Sequence, residues 1–440
     1  MRDRRIPFRW PGTPAGRFAG RFAAILGGMA AAAALVILGY FLTREPDVDR
    51  LVLEEISWAG MAGWTADDHV AALETLARSC TTAARRPADA PLGGDPRLGA
   101  TVGDLLTACD GIEAGIEAGI EAGIEAGIED VPPDAARRFL ETRFIPFRIR
   151  NESRETGLIT GYYEPEMTGS RDRSRNYRAP VLARPPDLVS VDLGHFRDSL
   201  RGQRIAGRVE DGRLVPYADR AAIAAGALNE AGLALVWLPD AVEAFLLEIQ
   251  GSGRVVLADG PDTGKVIRLS YAGQNGHPYT AIGRELIARG EITREAMSMA
   301  AIRDWLRARP DEAQAVMNAN ASYVFFTELP VDDPALGPPG AETTLLTPGR
   351  SLAVDRTHLP LGLPVWLSLE TPSPLAPEGR FRRLMVAQDT GGAIRGPVRA
   401  DYFAGTGDPA GEIAGAMRHQ GTLTLLLPRP LARRARAVEW

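Results

Sequence analysis

Three segments decide the reading: Ser351-Leu-Ala-Val-Asp355-Arg-Thr-His-Leu-Pro-Leu-Gly362, then Met385-Val-Ala-Gln-Asp389-Thr-Gly-Gly-Ala-Ile-Arg-Gly396, then Asp401-Tyr-Phe-Ala-Gly405. Asp355 and Asp389 each end a short apolar run with the look of a strand. A carboxylate at a strand exit can face a groove while its neighbours stay packed. Gly391 and Gly392 let the backbone turn tightly and let a substrate approach without a Cβ in the way. Asp401 precedes two aromatics and a glycine, a setting partly shielded from water. Desolvation raises a carboxyl pKa, as a general acid working near neutral pH requires. An aspartate at a strand exit is by default a turn former. Three of them in one strand–turn–strand block shift the reading toward chemistry, but their spacing alone leaves both roles open.

Outward from this block, the chain is β-rich from Phe147 on. Strand-like runs are Gly157–Tyr163, part of Leu235–Gln250, Arg254–Ala258, Val266–Ser270, Tyr323–Leu329, Leu352–Val354, Val365–Leu369, Arg383–Gln388 and Leu423–Leu427, separated by Gly/Pro turns. Helices are expected at Ala281–Ala288 and Arg294–Arg309, the second ending at Pro310, with a short one near Asp219. Pro334–Gly340 reads as an interdomain linker. This is the pattern of a barrel more than of a doubly wound sheet. Residues 46–145 read as helical: Thr65 or Asp67 caps a helix carrying Val70, Leu73, Leu76 and Ala77 on one face. Gly111–Asp130 repeats Gly-Ile-Glu-Ala. Its four-residue period overshoots the helical turn by about 40° per repeat, so the isoleucines form no stripe. No function is assigned to it.

Composition narrows the chemistry. The chain has 440 residues, 45% hydrophobic and 24% charged, with a formal net charge of −6. That is globular and slightly acidic, which argues against nucleic acid as a partner. Lys265 is the only lysine, so lysine-nucleophile catalysis would hang on one residue. The two cysteines and five histidines form no ligand cluster, so neither a metal nor a cofactor is expected. The phosphate-loop and serine-elbow motifs are missing, and Gln250-Gly-Ser-Gly253 lacks the elbow's spacing. The chemistry must come from carboxylates.

At the N-terminus, Arg2, Arg4, Arg5, Arg9, Arg17 and Arg21 precede an uncharged stretch from Phe22 to Thr43. About 20 apolar residues span a bilayer as one helix, and the arginines keep their side in the cytoplasm. An uncleaved single-pass anchor is favoured over a cleaved signal peptide. The rest of the chain is then expected at the periplasmic face of the inner membrane. In that oxidising compartment Cys80 and Cys109 are expected to form a disulfide, with two buried thiols as the alternative.

The aspartate block resembles the three-aspartate (3D) domain of the membrane-bound lytic transglycosylase A (MltA) family. Thr160-Gly-Tyr-Tyr-Glu-Pro165, Phe245 to Gly253, Tyr271-Ala-Gly-Gln-Asn-Gly-His277-Pro-Tyr279 and Asn320-Ala-Ser-Tyr-Val-Phe-Phe326 resemble that family upstream. The resemblance implies a mainly β fold with an α-helical N-terminal part: a double-psi β-barrel plus an inserted small β-barrel domain, with a glycan groove between them. The sequence and this resemblance together divide the chain into an anchor or signal segment (1–45), a helical region (46–145), the first part of the barrel (146–185), the inserted domain (186–330), the 3D domain completing the barrel (331–430) and an Arg-rich tail (431–440), the anchor being a departure from the family's pattern.

It also implies a lytic exotransglycosylase, a carbon–oxygen lyase. Such an enzyme cleaves the β-1,4 bond between N-acetylmuramic acid and N-acetylglucosamine without water and leaves 1,6-anhydromuramoyl ends. The catalytic aspartate falls on Asp401, with Asp389 supporting and Asp355 structural. Thr160, Gly161, Gln250, Ser252, Gly391 and Gly392 are candidate substrate contacts. Tyr162 and Tyr163 are candidate sugar platforms, and His277 is read as structural. Peptidoglycan glycan strands are the expected partner, with room for cell-wall synthesis or division proteins. Two other readings stay open: a muramidase using Asp389 and Asp401 as an acid/base pair on water, and a non-catalytic wall-binding scaffold.

Overall fold

The computed structural model describes residues 49–112, 132–200, 204–228, 232–294, 296–331, 333–370, 372–377, 379–391 and 393–440. The apolar stretch 22–43, the repeat from residue 113 on and Gly392 lie outside them. Among the described residues no helix is long and apolar enough to cross a membrane. The fold is mixed α/β, with more strand than helix.

The region expected to be helical throughout opens instead with a strand. In β1 (Leu51–Glu55), Leu51 and Leu53 are buried while Glu54 and Glu55 are exposed, and the strand pairs antiparallel with β2 (Phe144–Asn151). Helices His69–Ala83, Val102–Cys109 and Pro133–Arg143 lie between these two strands. Asp68 caps the first, accepting from the Ala71 amide over 3.1 Å. Its Leu73, Leu76, Cys80 and Ala83 form a buried stripe at helical spacing. A capping box between Thr101 and Asp104 starts the second. Cys80 and Cys109 tie the two together through a disulfide, S–S 2.03 Å.

After β3 (Gly157–Glu164) the chain leaves this sheet at Pro165. It builds β4 (Glu166–Gly169), β5 (Ala179–Leu182), β6 (Val189–Asp192), β7 (Arg204–Glu210), β8 (Arg213–Pro216), β9 (Ala234–Leu238), β10 (Ser252–Leu257), β11 (Val266–Gln274) and β12 (Val324–Leu329). These form separate small sheets in the orders β12-β11-β10-β4, β5-β9 and β6-β7-β8. The chain then returns as β13 (Ser351–Val354), β14 (Pro364–Leu369), β15 (Phe381–Asp389), β16 (Ala400–Thr406) and β17 (Arg418–Pro428). With β3 these strands close a ring, β3-β16-β13-β15-β14-β17, because β17 pairs back onto β3. All six residues of β14 are buried; Trp64 packs edge-on against Trp366 of this strand, ring centroids 5.4 Å apart, and Leu73 and Leu76 belong to the same continuous core.

Several expected elements differ. Leu235–Gln250 is a strand only to Leu238. Asp240 then accepts from the amides of Val242 and Glu243, each over 2.9 Å, and starts helix Ala241–Gln250. The helix expected over Arg294–Arg309 is Met299–Ala308. Pro310 begins another, Pro310–Asn318, because a first-turn proline lacks only an N–H that would go unpaired. The Arg-rich tail is helix Arg429–Arg436, docked rather than solvated. Arg434 donates to Asp104 over 2.5 Å and Arg436 to both Glu55 oxygens over 2.6 and 2.7 Å.

The segment expected as a linker is pinned. Glu164, at the end of β3, is fully buried between Arg254 of β10 (2.8 Å) and Arg268 of β11 (2.7 Å). Arg254 also donates to the Pro334 carbonyl over 2.7 Å, and Arg268 to that of Leu336 over 2.9 Å. One carboxylate thus fastens the ring, the β10–β11 sheet and the connecting segment at a single point.

Candidate active site

Strand register brings the conspicuous residues into one row. Thr160 of β3 stands opposite Asp401 of β16, Asp401 opposite Ala353 of β13, and Ala353 opposite Asp389 of β15. Strands lie about 4.8 Å apart, so the two aspartates sit two strand spacings apart across an alanine whose methyl leaves room between them.

Asp401 is held from one side only. The Thr160 hydroxyl and an Arg399 Nη both donate to its Oδ1. Arg399 is itself fixed, donating to the Ala400 carbonyl over 2.6 Å and to the Thr160 hydroxyl over 3.0 Å. Asp401 Oδ2 has no partner among the described residues, and the side chain keeps 19% of its surface exposed. The carboxyl is oriented through one oxygen and presents the other.

Asp389 is different. Its Oδ1 accepts from the amides of Ala341 (3.0 Å) and Thr390 (2.9 Å), and its Oδ2 from the Tyr162 hydroxyl (3.0 Å). A carboxylate offers about four acceptor positions, so Asp389 is nearly saturated. Burial pushes its pKa up. The three donors oppose that, and the charge of Asp401 adds to it. Asp355 is almost wholly buried. Burial would raise its pKa, but the Thr357 hydroxyl and the Gly396 and Thr357 amides outweigh it and hold it below the usual carboxylate value. It locks the exit of β13 to the turn at Gly396.

The other expected contacts scatter. Tyr162, expected as a sugar platform, is half-buried, commits its hydroxyl to Asp389 and leans on Phe403, ring centroids 5.2 Å apart. A Cβ on Gly161 would stand 2.7 Å from Ala414 Cα, so this glycine lets helix Gly407–Ala416 pack onto β3. Tyr163 and Gln250 line a separate pocket of about 270 Å³ together with Glu243, Arg303 and Asp408. Ser252 faces Ser270 across the β10–β11 pair and does not line that pocket. Gly391 is half-buried beside the Asp389 exit, where a Cβ would meet only the Ile394 side chain at 3.2 Å. His277 Nε2 lies 2.8 Å from the Tyr217 carbonyl, within a turn. Arg399 and the Ala341 amide were not anticipated. Arg399 carried a signal, since it stands two residues before Asp401, next to the start of β16. Ala341 carried none.

The chain matches the family described as the MltA specific insert domain over residues 158–327 and the 3D domain over residues 350–427. It is 34% identical over 281 residues to the membrane-bound lytic murein transglycosylase A of Escherichia coli K12, covering 62% of this chain and 66% of that one. To the protein of the same name from Vibrio cholerae it is 36% identical over 240 residues, 52% of this chain and 61% of that one. The matched part thus spans just under two thirds of the length of these curated relatives. The crystal structure of a membrane-bound lytic murein transglycosylase from Agrobacterium tumefaciens superimposes with a TM-score of 0.70 at 34% identity, over 87% of this chain and 99% of that chain. E. coli MltA with bound chitohexaose superimposes with a TM-score of 0.54 at 26% identity, over 88% and 93%. A shared motif set, a shared fold and identity sustained across a whole solved relative lead to one conclusion: the chain belongs to the membrane-bound lytic murein transglycosylase A family.

Proposed function

We propose that this chain is a lytic transglycosylase of peptidoglycan, a lyase that cleaves the β-1,4 bond between N-acetylmuramic acid and N-acetylglucosamine and leaves 1,6-anhydromuramoyl ends. Asp401 is its single acid and base. The six-strand ring is the double-psi β-barrel of this reading, the β4–β12 region its inserted domain, and the glycan lies between them. The enzyme works at the periplasmic side of the inner membrane, held there by the 22–43 segment.

The observation that carries the mechanism is the unequal use of the two carboxylates. Asp401 Oδ2, which no described residue engages, gives its proton to the leaving glycosidic oxygen as the C1–O bond breaks. Charge builds on a carboxylate that Arg399 and Thr160 already hold, so no reorganisation is needed as it develops. An oxocarbenium-like C1 forms. Asp401 then takes the proton of the sugar's own 6-hydroxyl, whose oxygen closes on C1. The nucleophile is intramolecular, and its effective concentration replaces the second carboxylate that a hydrolase needs. Asp389, its oxygens occupied by Tyr162, Ala341 and Thr390, is poorly placed to activate water and supports the site instead. That speaks against the muramidase reading.

Digestion of purified sacculi in oxygen-18 water tests this. Mass analysis should find anhydromuramoyl ends without label, and none with Asp401→Asn. Label at new muramoyl termini would make water the attacking group and end the proposal. Undiminished release by Asp401→Asn would remove Asp401 from the chemistry.

A further inference from the structure

The β4–β12 region contains a cavity of about 660 Å³, formed between the β5–β9 pair and helix Ala241–Gln250, that the mechanism does not use. Its floor is a buried ion pair, Arg220 to Glu248 over 2.7 Å. The Arg220 guanidinium is stacked 4.7 Å from the Phe245 ring centroid and 5.2 Å from that of Tyr323. Arg220 also donates to the carbonyls of Asn320 (2.8 Å) and Ser322 (2.5 Å).

Two features are not explained by the fold. Tyr323 is only 8% exposed, lines the cavity, and its hydroxyl has no hydrogen-bond partner among the described residues. At the wall, Arg173 and Arg178 are exposed, and neither has a carboxylate partner among the described residues. Arg173 stands over the Trp237 ring at 5.7 Å, which fixes its fork beside an apolar face. The donors at the wall without a protein partner among the described residues are therefore two guanidinium forks and a phenol, and the Asp240 carboxylate beside them is committed through Oδ1 to capping its helix. Guanidinium forks match carboxylates. The volume lies within the range of small-ligand sites and exceeds what one small ion needs.

We propose that this cavity binds a short, carboxylate-bearing peptide, with Arg173 and Arg178 on its carboxylates, Trp237 against its aliphatic part and the Tyr323 hydroxyl on an acceptor. Resting on the function proposed above, this peptide is the side branch of the wall strand. The cavity then selects strands that still carry their peptides, apart from the acid that cuts them.

Calorimetric titration of the full chain with the free wall tetrapeptide (L-Ala, D-Glu, diaminopimelate, D-Ala) tests it. Saturable one-to-one binding is expected, at least tenfold weaker for the Arg173→Ala/Arg178→Ala double variant and for the peptide with its carboxylates amidated, and about fivefold weaker for Tyr323→Phe. Both arginines are exposed, so the double variant leaves the core intact. No saturable heat at millimolar peptide, or equal binding of the amidated peptide or by the double variant, overturns the proposal. Turnover separates it from the catalytic reading. On glycan stripped of peptides by an amidase, wild type and double variant should release anhydro ends equally. On peptide-bearing strands the double variant should show a KM raised about tenfold. Equal KM there refutes the peptide site and leaves the lyase standing, whereas no anhydro product from either substrate refutes the lyase.

Discussion

The hydroxyl of Tyr162, on β3, donates to Asp389, at the end of β15, over 3.0 Å, and so links two strands of the ring that do not pair with each other. This bond is one of the influences that oppose the effect of burial on Asp389. Tyr162→Phe should therefore move the Asp389 carboxyl titration, followed by carbon-13 NMR of labelled aspartate, to higher pH. Turnover should fall about tenfold, the loss of one charge-assisted hydrogen bond at a positioned group. An unmoved titration would mean that the contact is incidental.

Arg399 touches Asp401, Thr160 and a backbone carbonyl at once. On the proposed mechanism it acts through Asp401 as a positioning residue. Arg399→Met should lower kcat roughly 100-fold, the scale on which misplacing a reacting group costs rate, with KM changed less than threefold. A rise in KM at constant kcat would assign Arg399 to substrate binding instead.

Glu342 follows Ala341, whose amide serves Asp389, and is buried with its Oε1 unpartnered. Its Oε2 accepts from Ser79 over 2.7 Å. Burial raises its pKa to about 7, against the opposing effects of Ser79, Arg86 and Thr344. The unfolded chain, with an ordinary glutamate, binds this proton less tightly than the native one. Stability from this group is therefore fully present below the unfolded value, falls as pH rises toward 7, and is gone above it. The span is about 3 kcal/mol by the usual conversion of pKa to free energy. Thermal melts of wild type and Glu342→Gln from pH 5 to 8 should diverge steadily, wild type losing ground as pH rises. Parallel curves would show the carboxyl to be hydrated in solution.

Among the described residues, Glu164 is the carboxylate that pairs with both Arg254 and Arg268 in their buried cluster. Glu164→Gln leaves two buried guanidinium groups without their counter-ion. Breaking a buried pair from one side costs about 3–5 kcal/mol. The urea midpoint should drop accordingly at unchanged slope. A loss below about 1 kcal/mol would mean that water reaches the cluster.

What was legible in the sequence was local. The aspartates announce themselves because Asp355 and Asp389 each end an apolar run and Asp401 precedes two aromatics and a glycine, and the family's motifs are contiguous. Arg399 was within reach, being two residues from Asp401 in the chain and immediately before β16. The division of labour between Asp389 and Asp401 was not, because it depends on Tyr162 and Ala341, brought in from β3 and from the segment before β13 by closure of the ring. Gly161 reads the same whether it admits a sugar or a helix, and only the Ala414 backbone beside it decides. The strand-to-helix change at Asp240 was masked because Leu235–Gln250 is apolar throughout except for its capping residue and a few acids. Tyr163 and Gln250 looked like neighbours of the acid in motif space, yet the fold gives them their own pocket.

Thr160 and Asp401 lie 241 positions apart in the chain, and their contact needs β16 to slot in beside β3. Contacts of such separation form late, after the intervening segments have compacted. A nascent or prematurely terminated polypeptide that ends before β16 has the threonine but no acid, and one that ends before β17 has an unclosed ring. On the proposed mechanism neither polypeptide can cut glycan, so activity depends on two strands that enter the ring long after β3 has been made.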